Sequence, residues 1–254
     1  FMNYCYENFD VNKDGKISKS EYNAVKEINC DGLQITSFKG IEYFANLETF
    51  SCKKNGQIEV IDLSHNKNIT TIGELAFYEC VGLINIAIPD GVTSIGGFAF
   101  YGCTGLTSVT IPDSVTTIGD AAFRNCTELT RIVIGNGVTA IAQNAFQNCS
   151  KNLESIYGKF ASDDNRCLIF NEKLLCFACV GITEYTIPCN VTTIGDYAFN
   201  GCTGLTNVTI GDGVTTIGDY AFNGCTGLTN VTIGDGVTTI GDYAFNGCTG
   251  LTNV

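Results

Sequence analysis

The sequence predicts an α/β repeat solenoid, in which each coil contributes a strand, a turn, a second extended segment and a short helical turn. A 23-residue pattern recurs along most of the chain, and the string from Leu205 to Gly227 is repeated without change from Leu228 to Gly250. Within each repeat, β-branched residues precede a segment with helical spacing. One such coil cannot bury its own apolar residues, so successive coils must stack on one another.

The composition is that of a folded, acidic chain. Its 254 residues include 14 Lys and Arg against 26 Asp and Glu, a formal net charge of -12, and 44% are hydrophobic. Nucleic-acid binding requires a cationic surface, so this charge balance argues against it. The longest apolar stretch, from Leu174 to Ile182, has nine residues. That is under half the length of a membrane-spanning helix, and we expect no membrane span.

Residues 1–28 carry a motif of oxygen-bearing side chains. The stretch from Asp10 to Glu21 fits the pattern D-x-[DN]-x-[DN]-G-x5-E at every position. It resembles an EF-hand, or one half of a dockerin-like module. The resemblance implies a helix-loop-helix cap, with helices over 1–9 and 20–28, and we expect a structural Ca²⁺ that stiffens this cap over the first coil. The alternative is an Asx-rich turn that begins a helix. The expected ligands are Asp10, Asn12, Asp14, Lys16 through its backbone carbonyl, and Glu21.

Residues 29–71 are expected to form irregular opening coils of the same solenoid. The segments that start at Leu47 and Ile58 both fit the template L-x-x-L-x-L-x-x-N, and their starts are 11 residues apart. This spacing resembles a shorter leucine-rich repeat, in which the chain crosses two faces in each turn.

Residues 72–150 and 191–254 hold the 23-residue repeats. The run Leu-Thr-x-Val-Thr-Ile predicts a short strand that stops at Gly or Pro. The later segment Asp-x-Ala-Phe-x-x-Cys has helical spacing, with Asp219 and Asp242 placed as N-caps. The repeat cysteines occupy one inward position in successive coils, which favours buried free thiols over disulfides.

The repeat signature identifies a known family. The pattern C-x-x-L-x-x-V-x-I-P-x-x-V-x-x-I-G-x-x-A-F, followed from Ile72 to Val254, resembles the leucine-rich repeats of the BspA type, also called the Treponema pallidum type. The resemblance implies a right-handed leucine-rich-repeat solenoid with a parallel β-sheet on its concave face. It also implies a bacterial cell-surface or secreted protein that adheres to host proteins or to other cells.

Residues 151–190 break the 23-residue register and predict an expanded coil. Two β-rich runs flank the polar link Asn171-Glu-Lys173, which is the pattern of a β-hairpin. The charged cluster from Asp163 to Arg166 is either a protruding recognition element or a solvated loop. A local disulfide among the four cysteines of this region remains open. Zinc at Cys176 and Cys179 is disfavoured, because residues three apart on a strand point to opposite faces.

The outward positions of the predicted strands form the candidate binding surface, which is flat, neutral and rich in hydroxyl groups. A line of tyrosines on the turn side either contributes to it or packs on its neighbours. The candidate residues are Thr107, Thr110, Arg131, Thr206, Asn207, Thr209, Thr229, Asn230, Thr232, Tyr197 and Tyr220.

The chemistry of the sequence favours binding over catalysis. His65 is the one histidine, and it lies in a repeat turn without a catalytic pattern around it. We predict a non-enzymatic, adhesin-like scaffold that is secreted or on the bacterial cell surface. Its expected partner is a surface protein or glycan of a host or neighbouring cell. The alternative is a structural spacer with no ligand. Because the sequence stops in mid-coil, we also expect end-to-end self-association or further sequence.

Overall fold

The computed structural model describes residues 1–252 as two short helices followed by a solenoid of parallel β-coils. The helices are α1 (Met2–Phe9) and α2 (Lys19–Ala24), and 3-10 turns lie at Ile41–Tyr43 and Ser150–Asn152. The strands are β1 (Glu27–Asn29), β2 (Thr49–Ser51), β3 (Val60–Asp62), β4 (Thr71–Ile72), β5 (Asn85–Ala87), β6 (Ser94–Ile95), β7 (Ser108–Ile111), β8 (Thr117–Ile118), β9 (Arg131–Ile134), β10 (Ala140–Ile141), β11 (Ser155–Gly158), β12 (Cys167–Phe170), β13 (Lys173–Phe177), β14 (Glu184–Thr186), β15 (Thr193–Ile194), β16 (Asn207–Ile210), β17 (Thr216–Ile217), β18 (Asn230–Ile233) and β19 (Thr239–Ile240).

Each regular coil contributes one strand to each of two faces. The long-strand face, whose strands mostly carry the Leu-x-x-Val-x-Ile motif, consists of sheets β3-β5, β7-β9-β11 and β14-β16-β18. The short-strand face, formed mainly by the second extended segments, consists of β1-β2, β4-β6-β8-β10 and β12-β13-β15-β17-β19. In the opening coils β2 and β3 belong to different faces, which confirms the predicted crossing of two faces in one turn.

The repeat phenylalanines stack in register along the interior. The rings of Phe77, Phe100, Phe123 and Phe146 lie within 8° of parallel, and their centroids are 4.9–5.1 Å apart. A second file contains Phe199, Phe222 and Phe245, with centroids 4.7 and 5.2 Å apart. The predicted filing of these rings is confirmed. It arises because 23-residue spacing places equivalent side chains one coil above another.

The cysteines are free thiols, and all but Cys189 and Cys248 are buried. In five of the repeats the thiol donates to the carbonyl of a phenylalanine one coil earlier, as Cys149 does to Phe123 at 3.1 Å. Burial raises the pKa of the Cys149 thiol to about 12, so it stays protonated at neutral pH. The structure therefore agrees with the expectation of buried, unpaired cysteines.

The turn side of the repeats differs from the prediction, because hydrogen-bonded turns replace the expected helical turns. Tyr220 and Gly224 adopt left-handed φ values of 54° and 71° within this segment, which a right-handed helix cannot accommodate. The N-caps expected at Asp219 and Asp242 are therefore wrong. Asp219 instead accepts the backbone N–H of Asp242, one coil later, at 2.8 Å. These carboxylates connect coils and do not cap helices.

The N-terminal cap is also shorter than expected. Helix α2 ends at Ala24, and the predicted continuation to Ile28 is wrong. Residues Glu27–Asn29 form strand β1 instead, which pairs in parallel with β2. The physical reason is burial: Ile28 pairs with Phe50 and occupies the core of the first coil, so the solenoid begins before residue 29.

The expanded coil separates two hydrophobic cores. Strands β12 and β13 make the antiparallel hairpin that the sequence predicts. On β13, Leu175 and Cys176 belong to the core cluster of residues before the hairpin, whereas Leu174 and Phe177 belong to the cluster after it. One strand thus contributes side chains to both cores, and the β-bulge at Leu175 lets the adjacent residues Leu175 and Cys176 reach the same core, which makes the hairpin the joint between two stacks of repeats.

Two hydrogen-bond networks stabilise this joint. The Arg166 guanidinium donates to the carbonyls of Glu154, Ala178 and Val180 at 2.8, 3.2 and 3.1 Å. A row of hydrogen-bonded asparagine side chains crosses the joint on the turn side. Its members are Asn125, Asn148, Asn200, Asn223 and Asn246. The residues up to Thr252 include no helix long and apolar enough to cross a membrane.

Candidate binding surface

The threonines that begin the long strands are committed to the solenoid itself. Thr107, Thr206 and Thr229 donate their hydroxyls to backbone carbonyls one coil earlier, at 3.2, 2.8 and 3.1 Å. Each hydroxyl can still accept a hydrogen bond, but its proton is engaged. These three predicted site residues therefore act first as cross-coil ties.

A second row of predicted residues is available at the surface. Thr209 and Thr232 are register partners on β16 and β18, and both side chains are exposed. Thr110 is exposed in the equivalent position on β7. The neighbouring row pairs Asn207 with Asn230, and Asn207 donates to the Glu184 carboxylate at 2.9 Å. The outward strand positions therefore form a surface of hydroxyl and amide groups, as the alternation predicts.

Arg131 has a partner that the sequence did not indicate. Its guanidinium lies 4.7 Å from the ring centroid of Tyr157 on the adjacent strand β11. Ser155 is the direct register partner of Arg131, so the contact with Tyr157 is diagonal. Both side chains are exposed, and a cation over an aromatic face is a pair that protein interfaces use often.

The tyrosine line exists, and it is packed on itself. Tyr197 and Tyr220 stack with centroids 4.9 Å apart, and Tyr220 and Tyr243 stack at 5.1 Å. Arg124 lies 5.9 Å from the Tyr197 ring. Tyr197 and Tyr220 are half-buried, whereas Tyr243 is 62% exposed. The rings therefore pack on their neighbours, as one interpretation of the sequence predicts. They also remain partly exposed to solvent, as a contribution to the binding surface requires.

The N-terminal loop is closed by hydrogen bonds from its own backbone. The Asp10 carboxylate accepts the N–H groups of Asp14 and Gly15 at 3.2 and 2.9 Å. The side-chain amide oxygen of Asn12 also accepts the backbone N–H of Asp14, at 3.0 Å. The backbone N–H of the exposed Lys16 donates to the Asp14 carboxylate at 2.9 Å. This arrangement brings the predicted ligand residues 10, 12, 14 and 16 into one compact loop.

Glu21 plays a different part in the loop. Its carboxylate accepts the N–H groups of Val11 and Ser18 at 2.9 and 2.7 Å, and Ser18 caps helix α2 in return. Hydrogen bonding by the side chain and backbone of Ser18 lowers the pKa of the Glu21 carboxyl. Within residues 1–252, no three His, Cys, Asp or Glu side chains are grouped as a metal-binding cluster. The donor chemistry suits Ca²⁺, but the three carboxylates are not gathered around one point.

Sequence reasoning missed two features near the surface. The asparagine row was detectable, since its members before and after the expanded coil keep the 23-residue spacing. The second is a cavity of about 600 Å³ in the expanded coil, lined by residues from two distant segments. No local pattern could have revealed it, because it forms where strands β11 and β14 fail to pair.

The sequence profile of the "BspA type Leucine rich repeat region (6 copies)" matches residues 45–163 and 173–254. The chain belongs to this family of leucine-rich repeat proteins. No curated protein sequence matches the chain.

Solved structures share the fold. A leucine-rich repeat protein from Eubacterium ventriosum is 30% identical with a TM-score of 0.58, over 77% of this chain and 59% of its own. One from Bacteroides ovatus is 28% identical with a TM-score of 0.55, over 89% and 60%. A leucine rich cell surface protein from Faecalibacterium prausnitzii is 24% identical with a TM-score of 0.52, over 78% and 70%. The chain thus spans about 60% of the length of the first two proteins.

Proposed function

We propose that the chain is a non-enzymatic scaffold that binds a protein through the long-strand face, on the bacterial cell surface or after secretion. The exposed outward rows carry the proposal: Thr110, Thr209 and Thr232 lie in three different coils, are exposed, and form no side-chain hydrogen bond within residues 1–252. A protein interface needs a broad area, which the sheets β7-β9-β11 and β14-β16-β18 offer on the two sides of the expanded coil. The family and the cell-surface protein of Faecalibacterium prausnitzii support the location.

The Arg131–Tyr157 pair marks the expected centre of this face. Arginine and tyrosine carry much of the binding energy at protein interfaces, because each combines a large contact area with polar groups. Val133 is the register partner of Tyr157 and adds an apolar neighbour. The hydroxyl rows on either side would then form the polar rim.

The test compares one face with the other. The purified chain is immobilised and exposed to extracellular-matrix and cell-surface proteins from candidate host cells, and a bound protein is identified and titrated. The double variant Thr209→Lys, Thr232→Lys places two bulky charges on the long-strand face. The control, Thr216→Lys with Thr239→Lys, makes the same change on the opposite face of the same coils. We expect binding to be lost only in the first variant.

The spacer alternative has one observation in its favour. The second stack repeats 23 residues without change, so its outward surface is uniform from coil to coil. If no partner is retained from any source, or both double variants bind equally well, the spacer interpretation replaces the scaffold proposal.

We also propose that Ca²⁺ binds the loop from Asp10 to Glu21 and stabilises the N-terminal cap. Support comes from the oxygen donors at the required spacing and from the closed loop around Asp10. Calorimetric titration with Ca²⁺ should show binding that Asp10→Asn removes and that Asp31→Asn, outside the loop, retains. Absence of heat with the unaltered chain after EDTA treatment would contradict the proposal.

A further inference from the structure

The long-strand face is interrupted at the expanded coil. Strand β11 ends one sheet and β14 begins the next, and the two do not pair. A cavity of about 600 Å³ opens at this gap. Its size lies within the range of small-ligand sites. The lining residues used below are Phe160, Asp163, Tyr185, Thr186, Pro188 and Asn190.

We propose that this cavity binds a neutral oligosaccharide. The proposal does not depend on protein binding, although the cavity shares strand β14 with the long-strand face. A sugar ring presents apolar C–H surfaces and pairs of hydroxyls, and its recognition needs flat apolar groups beside hydrogen-bonding groups. The cavity provides both kinds of group.

The apolar part of the wall is held rigidly. The Phe160 ring packs edge-on against Phe170, with centroids 5.0 Å apart. The Tyr185 hydroxyl lies 3.2 Å from the Cys167 sulfur, and the Tyr185 ring contacts Phe177 with centroids 4.5 Å apart. Rings that are fixed before a ligand arrives lose little entropy when it binds.

The polar groups of the wall divide into two sets. Ser162 bonds to Asp164, and the Lys159 ammonium donates to the Val138 carbonyl at 2.9 Å, so these groups support the loop. By contrast, the exposed side chains of Asp163, Thr186 and Asn190 make no hydrogen bond to any residue between 1 and 252. A carboxylate, a hydroxyl and an amide are thus available together, and they can pair with neighbouring sugar hydroxyls.

Charge and geometry narrow the ligand class. Asp163 and Asp164 outnumber the one lysine of the wall, so the cavity disfavours phosphate, sulfate and acidic sugars. A peptide could instead add a strand to the free edge of β14, but that strand has only three residues. So short an edge offers few backbone hydrogen bonds, which are the main source of affinity in that mode. The observations therefore favour a neutral sugar over a peptide.

The experiment uses the full chain with defined probes. A microarray of neutral and acidic glycans is screened first, and cellobiose, lactose and N,N′-diacetylchitobiose are titrated by NMR and calorimetry. We expect a neutral glycan to bind, and Asp163→Ala and Phe160→Leu each to weaken it roughly tenfold. Asp90→Ala and Phe98→Leu are matched controls outside the cavity and should leave the affinity unchanged.

The outcomes separate this proposal from the previous one. Binding of only acidic glycans, binding of none, or equal affinity in the cavity variants and controls would each overturn the oligosaccharide site. A glycan whose binding is sensitive to Thr232→Lys, two strands away from the Thr186 of the cavity wall, and not to Asp163→Ala would also overturn it. Failure of protein capture by the long-strand face leaves the glycan result unaffected.

Discussion

The two stacks of repeats, residues 72–150 and 191–252, share an interior and differ on the outside. Both contain the same files of phenylalanine and cysteine and the same cross-coil threonine bonds. On the long-strand face, however, one outward row of the first stack contains Thr110 and Val133 and continues to Tyr157 of the expanded coil. In the second stack the corresponding row consists of threonines. The fold therefore constrains inward positions and leaves outward positions free for recognition.

The stacks also have separate cores, which meet at the hairpin of the expanded coil. In a linear array each coil contacts only its neighbours, so stability is a sum of local terms. Leu174 and Leu175 point into different cores from adjacent positions of one strand. We therefore expect the hairpin to determine whether the two stacks unfold together.

The largest effect should come from removing one ring from each file. Phe123→Ala and Phe222→Ala both delete a fully buried phenylalanine, and each should cost about 3–5 kcal/mol. Urea unfolding followed by hydrogen exchange should show the loss confined to the stack that carries the substitution. Equal loss of protection in both stacks would show that the molecule has one cooperative core.

The next effect should come from loosening the joint. Arg166→Ala removes three hydrogen bonds to carbonyls of the expanded coil and should cost about 2–3 kcal/mol. Since the hairpin connects the cores, we expect the unfolding transitions of the two stacks to separate further. Lys26→Ala is the control: Lys26 lies in the opening coils, its ammonium forms an exposed ion pair with Glu48 at 2.7 Å, and its loss should cost less than about 1 kcal/mol. An Arg166→Ala variant that unfolds like this control would contradict the prediction.

Substitutions in the asparagine row should have smaller effects, and the effect should be larger in the middle of the row than at its end. Asn200 donates to Asn148 across the joint and accepts from Asn223 at 2.7 Å, whereas Asn246 only donates to Asn223. Asn200→Ala should therefore cost about 1–2 kcal/mol, and Asn246→Ala about 0.5 kcal/mol or less. Thermal melts of the two variants compare them directly. Similar melting temperatures would mean that the row contributes nothing to joining the stacks.

The stacking of the buried side chains could be predicted from the sequence, because a side chain repeated at one spacing lies against its equivalent in the preceding coil. Phe100 and Phe123 illustrate this. The turn side could not be predicted in this way. Tyr220 adopts a positive φ there, and the helical spacing of the apolar residues does not indicate it. The same limit applies to the surface. Because Leu205 and Val208 face inward, the sequence predicts that Thr206 faces outward, but whether its hydroxyl turns to solvent or to the carbonyl of Thr183 depends on the neighbouring coil.

The smallest expected effect concerns acid, which should weaken the N-terminal end before the regular stacks. Hydrogen bonding by Ser18 lowers the pKa of the Glu21 carboxyl, and hydrogen bonding by Ser64 lowers that of Asp62. For a carboxyl with a lowered folded pKa, the stabilisation is fully present above the unfolded pKa, about 4. It is lost as the pH falls through the folded value.

Hydrogen exchange below about pH 4 should therefore show opening of helix α2, which Glu21 caps, while the phenylalanine files remain protected. Glu21→Gln cannot ionise, so its α2 should be less stable at neutral pH and insensitive to acid over the same range. Glu48→Gln is the control, because within residues 1–252 the Glu48 carboxylate forms one ion pair, an exposed one with Lys26. Simultaneous opening of α2 and the second stack would show that acid acts on the whole solenoid and not on the capped end.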